Sequence, residues 1–266
     1  MTPADLKQAL HSQQNVFGTL IVSPSPFWPK IIGGCGLDFV FIDTEHIALD
    51  RQTVSWMCRT YTAMGLPPLV RIPDQDPNKA TMLLDDGATG IVVPYVESAD
   101  TVRKMVAATK RRPLKGLRAL GDPPAPPLSD YIDETTKNNL LVINIESTPG
   151  IDNLDEILAV DGLDAILIGP HDLSTSLGVP EQYQDPTFLE ACSSIIQKAR
   201  DAGVSAGIHH WLSPEQQAVF VRSGANLLIH KADAIFFKTG LQKELAEIKR
   251  LTGDAGTVTT AGTVNI

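Results

Sequence analysis

VINIESTPGIDNLDEILAVDGLDAILIGPHDL, residues 142–173, decides the fold. Two β-branched apolar runs flank one amphipathic segment, and each run leads into a carboxylate. Glu146 closes the first, and Asp172 follows the second just beyond Gly169-Pro170. Strands joined by a crossover helix lie side by side and parallel, so their C-terminal ends come together. The two carboxylates should therefore meet. Oxygen ligands on neighbouring strand ends, with room left for water and substrate, suit a hard divalent cation such as Mg²⁺ or Mn²⁺.

Outward from this unit the pattern repeats. Short apolar runs stand at 19–23 (TLIVS), 39–43 (FVFID), 69–72 (LVRI) and 90–94 (GIVVP). Four more follow at 140–146, 165–169, 205–210 (SAGIHH) and 226–230 (NLLIH). Helix-periodic segments such as RQTVSWMCRTYTAMG and TFLEACSSIIQKARDAG separate most of them, which implies βαβ units and a parallel sheet. Eight such units predict a (β/α)₈ TIM barrel. A doubly wound open sheet would want a glycine-rich phosphate turn after an early strand. GGCG (33–36) instead precedes the second run, so the barrel is preferred.

A helix over about 3–12 should precede the first strand, and one over 234–251 should close the set. The rhythm breaks once, in about 45 residues between the fourth and fifth runs that include GDPPAPPLSD (121–130). GLRAL (116–120) is read as part of this excursion rather than as a ninth strand. Residues 1–252 form one expected domain, and 253–266, without periodicity or charge pattern, read as a disordered tail.

The chain has 266 residues, a net charge of −9 and no extended Lys/Arg block, which argues against nucleic acid or an anionic membrane as partner. No run approaches the ~20 apolar residues of a membrane span. Cys35, Cys58 and Cys192 are odd in number, scattered and set in apolar helical or turn contexts, as expected of buried free thiols in a reducing compartment. Without a recognisable signal peptide, the chain reads as cytoplasmic.

In a barrel, function gathers at the C-terminal strand ends. Strand two ends in Asp43-Thr44-Glu45-His46, strand three carries Arg71, and strand five carries Asn144 and Glu146. Strand six leads to His171 and Asp172, strand seven ends in His209-His210, and strand eight in His230-Lys231. Asp43 is placed to orient His46, raising its basicity for work as a general base. Arg71, on an otherwise apolar strand, needs an anion: a substrate carboxylate or enolate oxygen, or a structural partner among Asp43, Glu45 and Glu146. For Glu146 and Asp172 the plain alternative is helix capping. Asn144 shares the parity of Glu146 and should face the interior with it. His171, His209 and His210 divide between substrate contact and loop packing. Lys231 offers a competing chemistry, a Schiff base with a keto acid.

At these residues the chain resembles the HpcH/HpaI aldolase family, the metal-dependent class II pyruvate aldolases. The matching pieces are GLDFVFIDTEH (36–46), PLVRIPDQDP (68–77), LLDDGATGIVVPYV (83–96), INIESTPGIDNLDEILAVDGLDAILIGPHDLS (143–174) and SGAN (223–226). The resemblance implies that Glu146 and Asp172 hold the metal (Mg²⁺, Mn²⁺ or Co²⁺). It makes His46, supported by Asp43, the acid/base and Arg71 the group stabilising the enolate. Backbone amides from Gly169 to Asp172 would take the pyruvate carboxylate. It further implies retro-aldol cleavage of a 4-hydroxy-2-oxo acid, and homo-oligomers, usually hexamers, in which the last helix is exchanged between subunits.

Departures from the family pattern fall at Asn144, His171, His209-His210 and His230-Lys231, and Arg118 lies in a loop that often carries basic residues. They concern the aldehyde half of the substrate, and a more polar or anionic acceptor is expected. Rival readings are a citrate-synthase-like condensation, a lyase for a CoA thioester, and a keto-acid-binding barrel without catalysis.

Overall fold

The computed structural model describes residues 1–254. Among them, eight parallel strands close into a barrel in strict chain order. They are β1 (Val16–Leu20), β2 (Phe39–Asp43), β3 (Pro68–Arg71), β4 (Gly90–Val93), β5 (Leu140–Ile145), β6 (Ala165–Ile168), β7 (Ser205–His210) and β8 (Leu227–Ala232). Residues of one parity in each strand point inward. Phe39, Phe41, Leu69, Val92, Val142 and Leu167 fill the interior. The other parity packs a second, larger core against the surrounding helices, where Val40, Ile42, Val70 and Ile143 meet Met57 and Ile195. Each fully buried Phe in the interior contributes about 1.5–3 kcal/mol.

The first strand lies three residues earlier than TLIVS suggested, because Gly18 must sit opposite Phe39. A Cβ on Gly18 would stand 2.6 Å from that ring, so the glycine leaves the room the phenylalanine fills. Strand pairing then ends near Ile21, and the next two amides turn to another acceptor: Asp233 receives the N–H groups of Val22 and Ser23, both at 3.0 Å.

The N-terminal helix, Pro3–His11, starts on a Thr2/Asp5 capping box and plugs the lower end of the barrel with Leu6 and Leu10. His11 and Lys110 both bind the buried Asp164 there, at 2.8 and 2.5 Å.

The excursion between β4 and β5 contains the helices Ala99–Lys110, Gly116–Leu120 and Leu128–Thr136, so GLRAL is a short helix. The final helix, Asp233–Thr252, buries only Asp233 and leaves Phe237, Leu241, Leu245, Ile248 and Leu251 exposed along one stripe. Gly253 ends it in the left-handed region, with Asp254 bonded back to Lys249. The rest of the expected tail lies outside the described residues. No helix among them is long and apolar enough to cross a membrane. All three cysteines are free thiols; Cys58 and Cys192 are buried as expected, but Cys35, in the turn before β2, is exposed.

Candidate active site

Above the Phe41 layer the interior turns polar. Asp43 and Arg71 occupy paired positions on β2 and β3. Arg71 Nε and Nη2 donate to the two oxygens of Asp43 at 2.9 and 2.5 Å, and Nη1 reaches Glu45 at 3.1 Å. The pair is buried, 2% exposed at Asp43 and 12% at Arg71. Burial alone would raise the Asp43 carboxyl, but the guanidinium and the Glu45 N–H hold it below the usual range. Glu45 moves the other way: burial, with Asp43 and Asp172 nearby, raises it against the pull of Arg71 and His46.

The expected Asp43–His46 pairing is not formed. Parallel register sets Asp43 opposite Arg71, while His46 lies three residues further, 51% exposed, with Nε2 at 3.7 Å from Glu45. Glu45 is therefore the carboxylate beside His46.

Glu146 continues β5 on the parity of Asn144, as expected, and is 3% exposed. Its oxygens accept from the Tyr95 N–H at 2.7 Å and from Asn144 Nδ2 at 3.0 Å. Burial raises its carboxyl to about 7, with Asp172 adding to the rise and Asn144, Arg71 and Tyr95 opposing it. Neither acid caps a helix. Ser147 caps Thr148–Asp152, and Gly169 precedes Pro170–Ser176 without a side-chain cap. Asp172 stands exposed in the first turn of the latter helix, with no hydrogen bond or ion pair among the described residues. Gly169 is required: a Cβ there would lie 2.0 Å from Glu146 Oε2.

Asn144 Oδ1 is buried without a partner. Two carboxylates, Asp172 near enough to raise Glu146, beside an unpaired amide oxygen make an all-oxygen set that fits a cation keeping several waters. Among the described residues no group of three or more His, Cys, Asp or Glu forms a cage.

The remaining expected residues divide. His209 faces the interior, edge-on to Phe41 at 5.4 Å and against Trp211 at 4.4 Å, and burial together with Arg71 drives it down to about 3. His210 faces outward instead, stacked on Phe220, with Nδ1 accepting from the Leu212 N–H. His171 is exposed on the rim, 3.4 Å from Glu181. Arg118 is not brought to the mouth of its own chain. It sits exposed on Gly116–Leu120, in the connection running from Ala99–Lys110 back to β5, away from the βα loops.

The sequence reading missed Tyr95 and Gln75. Tyr95 takes φ +53°, which turns its N–H onto Glu146, and Gln75 Nε2 holds the Tyr95 carbonyl at 2.6 Å. The usable signal was position: Tyr95 follows the C-terminal end of β4.

A closed parallel barrel with a buried, charge-dense layer at the C-terminal strand ends is built as an enzyme. The chain belongs to the HpcH/HpaI aldolase/citrate lyase family, whose model matches residues 20–231, and with it to the carbon–carbon lyases. It is 32% identical to a 4-hydroxy-2-oxo-heptane-1,7-dioate aldolase of Salmonella arizonae, over 90% of this chain and 96% of the relative. It is 29% identical to a 2-keto-3-deoxy-L-rhamnonate aldolase of Escherichia coli, over 91% and 92%. Among solved structures, the citrate synthase SbnG superposes with a TM-score of 0.81 at 30% identity, covering 94% of this chain and 98% of that one.

Proposed function

We propose that the chain is a metal-dependent class II aldolase that cleaves a 4-hydroxy-2-oxo acid reversibly to pyruvate and an aldehyde. The observation that carries this reading is the meeting of Glu146 and Arg71 at one barrel mouth, with Asp172 adding a second acid. Glu146 and Asp172 would hold a divalent cation, Mg²⁺, Mn²⁺ or Co²⁺. When bound, the cation supplies Lewis-acid stabilisation of charge developing on the 2-oxo oxygen.

The chain's own groups account for the rest. The N–H groups of the first turn after Gly169, those of His171 and Asp172, lack intrahelical partners and take the substrate carboxylate. His46, with Glu45 beside it, accepts the proton of the C4 hydroxyl. The C3–C4 bond then breaks, its electron pair passing into the pyruvate enolate while the aldehyde leaves. Arg71 spends Nε and one proton of each terminal nitrogen on Asp43 and Glu45. One N–H on each terminal nitrogen remains for the enolate oxygen, held in place before charge develops there. Return of a proton to C3 gives pyruvate.

The exposed stripe on Asp233–Thr252 supports self-association through the last helix, with a hexamer expected from the family. Composition supports a cytoplasmic setting with neither nucleic acid nor membrane as partner.

Mn²⁺ titration followed by electron paramagnetic resonance, paired with a cleavage assay, tests the metal assignment. Glu146→Gln should weaken Mn²⁺ at least about tenfold and abolish cleavage. Full Mn²⁺ affinity or full cleavage in that variant would refute it. The likeness to SbnG favours one second reading, in which the enolate condenses with a keto acid instead of an aldehyde. An acceptor panel separates the two.

A further inference from the structure

The mouth divides into two unlike arcs. From β2 round to β6 it carries the charged layer of Asp43, Arg71, Glu146 and Asp172. From β7 through β8 to β1 it carries three half-buried apolar side chains instead. Trp211 follows β7, Ile235 follows β8 and Val22 follows β1, and all three pack against the interior core. Each stands beyond the C-terminal end of its strand, so the part of that core it meets lies at the mouth.

Strand parity alone would put a charge into this arc. Ile229 faces the interior, and the next inward position on β8 falls to Lys231. A bulge prevents it. Ile229 pairs with Gly18 but Ala232 pairs with Leu20, so β8 carries one extra residue over this interval. Lys231 lies in that bulge with φ +52°, a left-handed conformation that costs a residue with a side chain. Bulges at barrel rims re-aim side chains. Here Ala232 joins the interior core beside Leu20, while the Lys231 ammonium lies over the ring of Phe236 on the last helix, at 5.9 Å.

The other polar groups of the arc bring no charge to the mouth. His209 lies one layer below Trp211, their rings 4.4 Å apart, with Nε2 at 3.3 Å from the Lys231 carbonyl, and burial keeps it neutral. His210 faces outward onto Phe220. Asp233 is buried and accepts from the N–H groups of Val22, Ser23 and Ala234. In a closed eight-stranded barrel β1 stands across from β5. A substrate anchored at Glu146 therefore extends over the interior toward Val22 and its apolar neighbours.

We propose that Trp211, Ile235 and Val22 form the acceptor subsite and select an apolar aldehyde, so that the preferred 4-hydroxy-2-oxo acid carries its only charge at the end held by the metal layer. Apolar surface left half in water gains from being covered by an apolar group. The inference rests on the aldolase reading and names the chemical class of the aldehyde half. It replaces the polar or anionic acceptor expected from the sequence, because the bulge turns Lys231 aside and burial keeps His209 uncharged.

The test uses the full chain with pyruvate and two aldehydes of one shape, 4-methylpentanal and 4-oxobutanoate, which exchange an isopropyl group for a carboxylate. In the wild type, kcat/KM should favour 4-methylpentanal by about tenfold or more. Trp211→Ala should cut that ratio about tenfold, mainly through KM of the apolar aldehyde, and Trp211→Phe should keep most of it. Val22→Thr keeps the side-chain shape and adds a hydroxyl; it should narrow the ratio even if Trp211→Ala does not fold. A wild-type preference for 4-oxobutanoate would overturn the proposal. So would an unchanged ratio in either folded variant, or equal losses on both aldehydes. Exchange of the pyruvate methyl protons by the wild type reports on the aldolase reading separately. Exchange together with a preference for 4-oxobutanoate defeats only the apolar subsite; no exchange defeats the aldolase reading and the subsite with it.

Discussion

Asp43→Asn removes one charge from the Arg71 pair and keeps the side-chain shape. Both partners are buried and joined by two hydrogen bonds, so the guanidinium is left without its main counter-charge. Breaking a buried pair this way costs about 3–5 kcal/mol. Glu45 still touches Nη1 at 3.1 Å, which places the expected loss at the lower end, about 3 kcal/mol. For a chain of this size that lowers the thermal midpoint by roughly 6–12 °C. Adding Arg71→Met to Asp43→Asn removes the stranded charge and should recover stability, with a coupling of about 2 kcal/mol in the double-mutant cycle. Urea titration of the wild type, both single variants and the double variant measures all four corners. A loss below about 1 kcal/mol in Asp43→Asn, or strict additivity, would refute the pairing. An Asp43 whose work was to orient His46 would instead lower kcat at little cost in stability.

Two further outcomes follow from the same geometry. Gly169 has φ −91° and ψ 97°, which alanine tolerates, so Gly169→Ala acts only through the methyl group meeting Glu146. It should weaken Mn²⁺ binding by about tenfold or more, and unchanged affinity by calorimetry would contradict it. Burial holds His209 and His210 neutral, with pKa values down to about 3 and about 4. The unfolded chain takes up those protons near pH 6.5 and the folded chain does not. This component of stability is therefore complete above about pH 6.5 and declines as pH falls toward 4, by about 2 kcal/mol per histidine at pH 5. Glu146, raised to about 7, works in the opposite direction over the same range. The readout is therefore the difference in thermal midpoint between wild type and His210→Gln. It should change between about pH 6.5 and 4, and a difference independent of pH would count against it.

Much of this was legible in the sequence. Period-2 parity put Asn144 and Glu146 on one face, and the βαβ rule brought Asp172 beside them. Where the reading failed, the deciding contact was long-range. The spacing of Asp43 and His46 suggested a local pair, but register across β2 and β3 awarded Asp43 to Arg71. The onset of β1 depends on where Phe39 needs space, which no window around residues 16–23 contains. Tyr95 serves Glu146 through a backbone N–H, and the bulge at Lys231 arises from the pairing of β8 with β1. Neither has a side-chain signature. Arg118 falls on the αβ side of the excursion, a choice between the two kinds of junction that composition leaves open.

Enolate formation at this site can be measured without knowledge of the aldehyde. The protein is incubated with pyruvate in D₂O, and loss of the methyl proton signal is followed by NMR with and without EDTA. Metal-assisted enolate formation predicts exchange that EDTA abolishes and Mg²⁺ or Mn²⁺ restores. Exchange indifferent to EDTA, or none with any metal, would contradict it.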